Sequence, residues 1–329
     1  MNRTLYYLGP RGSFSHQAAE AAARLLGRDG SSVGTEPLDE VPDILHAVET
    51  GMGWGIIAWE NNVEGYVMPN LDALIDARDI VGFLRVGVDI SFDAFVRDDS
   101  SDGETSAALS EVAAHPHGLA QCGRFIRRHG WQTRPAASNA AACRDLQPGQ
   151  VALGPSICGT LYGLRTYQSH VQDYEAGRTE FLVLGRRRQA DELLAPITGA
   201  YPGDIETIIS FIPVNTGPGV LADLLDLVRD AGLNMTSFIS RPIKGHGGTY
   251  SFIATVDAAP WQPRFTHALD AVLAHGDWVK TLAVYPRRER SNPPVDVRTL
   301  PHGGVRIEAD RCANGDDMEI AMRRELLWR

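Results

Sequence analysis

The alternation of short apolar strands with amphipathic helices across glycine-rich turns constrains this chain more than any other feature. It begins at once: Thr4 to Leu8 reads as a strand, Gly9-Pro10-Arg11-Gly12 halts it, and the apolar spacing from Phe14 to Leu26 is helical. Strand, turn and helix in that order open an α/β unit. A helix over Val41 to Glu49, a strand over Trp54 to Trp59 and a helix around Leu71 to Ile75 continue the pattern. Val86 to Val96 reads as a further strand, and the acidic loop from Arg97 to Glu104 marks an expected crossing between two lobes.

A second lobe would hold strand Glu111 to Ala114, helix Leu119 to His129, helix Ala140 to Leu146 and strand Gln150 to Leu153, a smaller copy of the first. Strand Glu180 to Gly185 returns to the first lobe. The mixed stretch Arg186 to Ile205, with three Arg, two Pro and two Gly, suits a domain boundary. Beyond it, strand Thr207 to Pro213, helix Val220 to Ala231, strands Asn234 to Arg241 and Thr249 to Asp257, helix Arg264 to Ala274 and strand Val279 to Tyr285 give the ferredoxin-like βαββαβ order. The expected fold class is therefore α/β, with a two-lobed catalytic region at 1–188 (second lobe about 98–175), a βαββαβ domain at 206–286 and a C-terminal extension at 287–329 whose last segment, Met318 to Trp328, reads as a short amphipathic helix.

Composition narrows the function classes. The 329 residues exceed one ordinary core, and 43% apolar with 22% charged residues describes a folded globular chain. A net charge of -10 argues against nucleic acid or an anionic membrane as partner, since both need a positive footprint. The sequence displays neither a signal-like segment nor an apolar run of membrane-spanning length, so a cytoplasmic location is expected. Cys122, Cys143, Cys158 and Cys312 have neither metal-site spacing nor scaffold density and read as buried, reduced thiols.

In open α/β folds, ligand chemistry collects at the turns after strands, where helix N-termini offer free backbone N–H groups. Three such places stand out: Leu8 to His16, Trp59 to Gly65, and His115-Pro116-His117 with Gln121-Cys122. Each alone could be a tight turn or a capped loop, and paired His without a third ligand points away from metal.

Taken in order, the strings are more specific. Leu8-Gly9-Pro10-Arg11-Gly12-Ser13-Phe14-Ser15-His16-Gln17-Ala18-Ala19 resembles the opening motif of prephenate dehydratases, and Glu60-Asn61-Asn62 with Gly65 resembles their Glu-Asn-Ser segment. His115-Pro116 with Gln121-Cys122, Ser138-Asn139-Ala140, Gly159 to Leu164 and Thr179 to Leu184 follow the same family in sequence. Gly217-Pro218-Gly219-Val220-Leu221 and Asn234 to Pro242 resemble the helix-opening loop and the Glu-Ser-Arg-Pro strand of its ACT regulatory domain. The resemblance covers about residues 4 to 285 and implies a periplasmic-binding-protein-like pair of lobes holding prephenate in the cleft, without a cofactor or metal.

The resemblance also implies roles. Thr179 would deliver a proton to the leaving hydroxyl, with Asn61 and Gln121 beside it; Ser13, Asn62, Ser138, Asn139 and Phe181 would bind substrate; and Gly219, Val220, Leu221, Ser240, Arg241 and Pro242 would hold an amino-acid effector in a homodimer or homotetramer. Four departures bear on function. The family's Thr-Arg-Phe reads Thr179-Glu180-Phe181, Asn62 replaces a Ser with Tyr66 where a small residue is usual, and Ile239 stands where the regulatory strand carries Glu.

The charge reversal at Glu180 opens two readings. One is a non-aromatising prephenate decarboxylase of a specialised or antibiotic pathway, a carbon–carbon lyase in which Glu180, expected in the cleft, supplies or steers a proton to carbon. The other is a dehydratase, a carbon–oxygen lyase forming phenylpyruvate, with Glu180 in solvent. A non-catalytic amino-acid sensor is a third expectation, since both folds bind small ligands. Ile239 implies weakened or redirected phenylalanine feedback.

Overall fold

The computed structural model describes residues 3–27, 32–97, 109–198, 205–215, 217–287, 295–306 and 315–327. Residues 1–288 form one compact unit and 289–329 a second. The first lobe contains β1 (Arg3–Leu8), α1 (Phe14–Leu26), β2 (Val33–Leu38), α2 (Val41–Thr50), β3 (Trp54–Asn61), β4 (Gly65–Tyr66), α3 (Met68–Asp76) and β5 (Ile80–Asp89). The second contains β6 (Asp93–Arg97), β7 (Glu111–Ala114), α4 (Pro116–Gln121), α5 (Gly123–His129), β8 (Gln132–Pro135), α6 (Asn139–Arg144), β9 (Gln150–Gly154), α7 (Ile157–Tyr162) and β10 (Leu164–Gln168). The chain then returns through β11 (Arg178–Arg186) and α8 (Ala190–Thr198).

The two lobes repeat one pairing pattern. In the first the strand order is β2-β1-β3-β11-β5, with β1 parallel to β2 and β3 and the other neighbours antiparallel. In the second the order is β8-β7-β9-β6-β10, again a parallel trio followed by two antiparallel strands. Helix α2 reaches the first sheet closely because β3 carries Gly55, where an added Cβ would stand 2.6 Å from Ile44 and 2.9 Å from Val48.

Three expectations need correction. The run Val86 to Val96 is two strands in different sheets, and the crossing lies at Ile90 to Phe92. Ile90 and Phe92 are buried in the second lobe's core, so apolar character continues through the crossing and hides it. The expected crossing loop falls largely at 98–108, outside the described residues. The helix expected over Leu119 to His129 starts earlier and breaks at Cys122, whose φ of -117° is not helical. The expected linker contains α8, which seats Leu193 in the core under β11 and β5. Strands β2, β8 and β10 carry too few apolar residues in register to announce themselves, and helix α7, at six residues, is too short to show a period.

The C-terminal part is β12 (Ile205–Ile212), α9 (Val220–Asp230), β13 (Met235–Pro242), β14 (Tyr250–Val256), α10 (Pro263–Ala274) and β15 (Trp278–Pro286). Its strand order β13-β14-β12-β15 is antiparallel throughout, with α9 and α10 packed on one face. The other face is shared. Ile208, Ile253, Leu282 and Tyr285 bury in one core with Ile57, Trp59, Leu71, Leu182 and Leu184 of the first lobe. The sheets also join at their edges, with β15 beside β5 where Ala283 meets Gly82. Only glycine fits there, because a Cβ on residue 82 would lie 2.7 Å from that of Ala283.

In the second unit, α11 (Gly315–Leu326) carries an Arg323–Glu319 ion pair at 2.7 Å, and Trp328 lies outside the described residues. Cys122, Cys143 and Cys158 are buried thiols, and burial pushes Cys122 up to about 12; Cys312 is outside the described residues. Among those residues, no helix is long and apolar enough to cross a membrane.

Candidate active site

A cavity of about 690 Å³ opens between the lobes, walled by Gly9, Arg11, Ser13 and Phe14 from the first and His115, Ser138, Asn139 and Arg144 from the second. Two serine-capped helices begin at it. The Ser13 hydroxyl accepts from the His16 backbone N–H at 3.2 Å, and the Ser138 hydroxyl accepts from Ala141 N–H at 2.9 Å. The positive ends of these helices and the Arg11 guanidinium suit the cavity to an anion, whereas Arg144 is held by Asp145 at 2.8 and 2.7 Å and Asp39 adds a carboxylate to the lining. Asn139 Oδ1 accepts from His115 N–H at 2.9 Å and so holds the α4 entry against α6.

The turn carrying Ser13 is fixed from two sides. Gly12, at φ 86°, donates its N–H to His16 Nδ1 at 3.1 Å, which requires the imidazole to be neutral at that nitrogen. Burial lowers the His16 pKa, and its ring stacks on Tyr7 at 5.1 Å. From the second lobe, Tyr162 Oη donates to Arg11 O at 2.5 Å and Cys158 Sγ donates to Gly12 O at 3.3 Å.

Asn61 and Thr179 meet at paired positions of β3 and β11, and Asn61 Nδ2 donates to Thr179 Oγ1 at 2.9 Å. They do not line the cavity between the serine caps. Gln121, at the end of α4, donates to Glu64 Oε1 at 2.7 Å across the lobes. Asn62 faces elsewhere: its amide donates to Ala176 O and accepts from Arg178 N–H, both at 2.7 Å, which ties the loop after β3 to the start of β11. Phe181 is core, 1% exposed and packed with Ala18, Ala22 and Val183, so it has no surface to offer a substrate.

Glu180, expected in the cleft on one reading and in solvent on the other, is in neither place: its side chain is 12% exposed and faces the C-terminal sheet. Along β11, Phe181 and Val183 pack toward α1, whereas Leu182 and Leu184 pack in the core shared with the C-terminal sheet. Glu180 belongs to the second set by strand alternation. Its carboxylate accepts from Arg85 Nε at 2.9 Å and Arg178 Nε at 2.8 Å. A bulge between Glu180 and Phe181 sets Glu60 opposite Glu180, and burial raises the Glu60 pKa while Arg85 opposes that rise. Arg85 also donates to Glu206 at 3.2 Å. The charge reversal is thus answered by two guanidiniums on the sheet's own surface.

The other departures have neighbours too. The Tyr66 hydroxyl bonds Ser237 of β13, its ring lies edge-on to Trp59 at 5.8 Å, and Ile239 packs against the shared core. Of the expected effector residues, Arg241 grips Asp72 of α3 through two hydrogen bonds at 2.9 and 2.7 Å. Gly219 caps α9 at φ 95°, and Val220 borders a separate cavity of about 320 Å³ with Asp223 and His275. Ser240 pairs with Phe252 and Pro242 with Tyr250, both on β13's side of its ladder to β14. Arg11, Arg144 and Glu64 were missed; Glu64 lies three residues past Asn61 in a string already singled out, but only the fold reveals that it reaches α4.

Comparison with known proteins matches this arrangement. The pattern defining the family "Prephenate dehydratase" fits residues 5–189. A prephenate dehydratase of Mycobacterium sp. (strain JLS) is 30% identical over 299 residues, covering 88% of this chain and 90% of its own. A solved structure described as GqqA, a novel type of quorum quenching acylase, superposes with TM-score 0.71 at 25% identity, covering 87% of this chain and 98% of that one. The prephenate dehydratase of Arthrobacter aurescens, solved in complex with L-Phe, shares the fold at TM-score 0.71 and 24% identity, covering 89% and 92%. With the family's pattern matching more than half of its length and a relative 30% identical along most of it, the chain belongs to the prephenate dehydratase family.

Proposed function

We propose that this chain is a lyase acting on prephenate and that its reaction is dehydration to phenylpyruvate. The observation that carries this reading is the polarity of one hydrogen bond. Because Thr179 Oγ1 accepts from Asn61 Nδ2, the threonine's own proton is not committed to that contact and can go to the departing ring hydroxyl. As the carbon–carboxylate bond breaks, its electron pair enters the ring, the carbon–oxygen bond opens and water leaves with carbon dioxide. Ser13, Ser138 and Asn139, with Arg11 beside them, are the groups to hold the substrate's carboxylates, and Gln121 approaches the Asn61 loop from the second lobe through its bond to Glu64.

The non-aromatising decarboxylase reading takes Glu180 as a group that supplies or steers a proton to carbon. Its carboxylate is engaged by Arg85 and Arg178 on the face toward the C-terminal sheet, which favours the dehydratase reading. The test is the mass and ultraviolet spectrum of the product formed from prephenate by the purified protein. Aromatic phenylpyruvate is expected. A non-aromatic product heavier by one water would establish the decarboxylase and refute the assignment, and stabilisation by an amino acid without turnover would point to a sensor.

For the C-terminal domain we propose the ACT identity, with a structural duty that outweighs phenylalanine feedback. Ile239 packs against the shared core and Arg241 is held by Asp72, which leaves Gly219 to Leu221, Ser240 and Pro242 as the residues open to an effector.

A further inference from the structure

His117 and Gln121 lie four residues apart on one face of α4, and both converge on a single carboxylate from the other lobe. Glu64 Oε1 accepts from Gln121 Nε2 at 2.7 Å, and Glu64 Oε2 lies 3.1 Å from His117 Nδ1. Behind Glu64, the loop is folded onto Asn61, whose Oδ1 accepts from Val63 N–H at 2.8 Å and from Glu64 N–H at 3.0 Å. The same amide's Nδ2 donates to Thr179. One planar group therefore fixes both the loop and the hydroxyl, and any tilt imposed by the loop is passed to Thr179.

We infer that Glu64 is a positioning residue, an interlobe latch that sets the orientation of the Asn61–Thr179 pair by tying it to α4. The Glu64 carboxylate lies at the lobe boundary, outside the lining of the large cavity, held there by the Gln121 amide with the His117 imidazole beside it. The latch makes closure of the lobes and alignment of the proton donor one event, since the Asn61 amide cannot turn while Glu64 is gripped. Its kinetic arm rests on the prephenate reading above; its structural arm does not.

The test uses the full chain with Glu64→Ala and Glu64→Gln. In substrate-free protein, hydrogen exchange at the amides of residues 63 and 64 should quicken in Glu64→Ala and return toward wild type in Glu64→Gln, whose amide oxygen still accepts from Gln121. With prephenate, Glu64→Ala should lower kcat by about tenfold, the scale of one lost charge-assisted hydrogen bond, with a smaller change in KM, and Glu64→Gln should recover most of it. Unchanged exchange together with unchanged kcat would overturn the latch. So would a fall in KM at constant kcat, which would make Glu64 a competitor for the substrate's seat on Gln121. If wild type does not turn over prephenate, the function proposal fails, and the exchange result alone decides the latch.

Discussion

At the scale of single residues, His16 illustrates how a side chain outside the chemistry can set a condition on it. Its Nδ1 accepts the Gly12 N–H, so protonation there removes an acceptor and sets two donors against each other. Burial holds the folded pKa below the ordinary 6.5. The unfolded chain therefore binds the proton first as pH falls, and stability declines with it. The contribution of the neutral imidazole is complete above pH 6.5 and is lost as pH drops through the lower folded value, a change of about 1 kcal/mol for one hydrogen bond. Thermal melting followed from pH 7.5 downward should show this acid-side loss in wild type. His16→Asn, whose side-chain oxygen can accept from Gly12 without titrating, should flatten it. An identical slope in both proteins would assign the acid sensitivity elsewhere.

At the scale of elements, strand β11 carries two opposite faces of the argument, Thr179 toward the first lobe's helix and Glu180 toward the C-terminal sheet. Glu180→Arg restores the family's usual residue yet should not restore anything here, because it sets a third guanidinium beside Arg85 and Arg178 and leaves Glu60 and Glu206 to share them. With the Glu180 side chain only 12% exposed, we expect a loss of about 3 kcal/mol, seen as a lower Tm, with the product from prephenate unchanged. A switch of product would return Glu180 to the chemistry. The strand itself was legible in the sequence, as were α1, α2 and all the elements of the βαββαβ domain, because each has an unbroken period and a clear stop. Its facing was not. A bulge shifts the register beside Glu180, and the arginines that neutralise it lie two residues away on β11 and across the ladder on β5, so the string Thr179-Glu180-Phe181 alone cannot say which way the carboxylate turns. For the same reason Asn61 and Ser138 could be named from their strings, while the interlobe partner Glu64 needed the fold.

At the scale of the molecule, the domain boundary drawn from composition cuts through a core. Residues 206–286 contribute Ile208, Ile253, Leu282 and Tyr285 to the cluster that also buries Ile57, Leu182 and Leu184, and Lys280 donates to Leu74 O and Ile75 O at 3.2 and 2.6 Å at the end of α3. Each exposed aliphatic side chain forfeits about 1.5–3 kcal/mol, and several together exceed the roughly 5–15 kcal/mol by which such a protein is stable. A chain ending after Thr198 should therefore lack a cooperative thermal transition and expose surface that binds hydrophobic dyes, although every catalytic string is present. Removing residues 289–329, a separate compact unit, should instead leave the Tm of the remainder within a few degrees. If the chain ending at Thr198 melted cooperatively near the full-length Tm, the shared face would be a docking surface between independent domains.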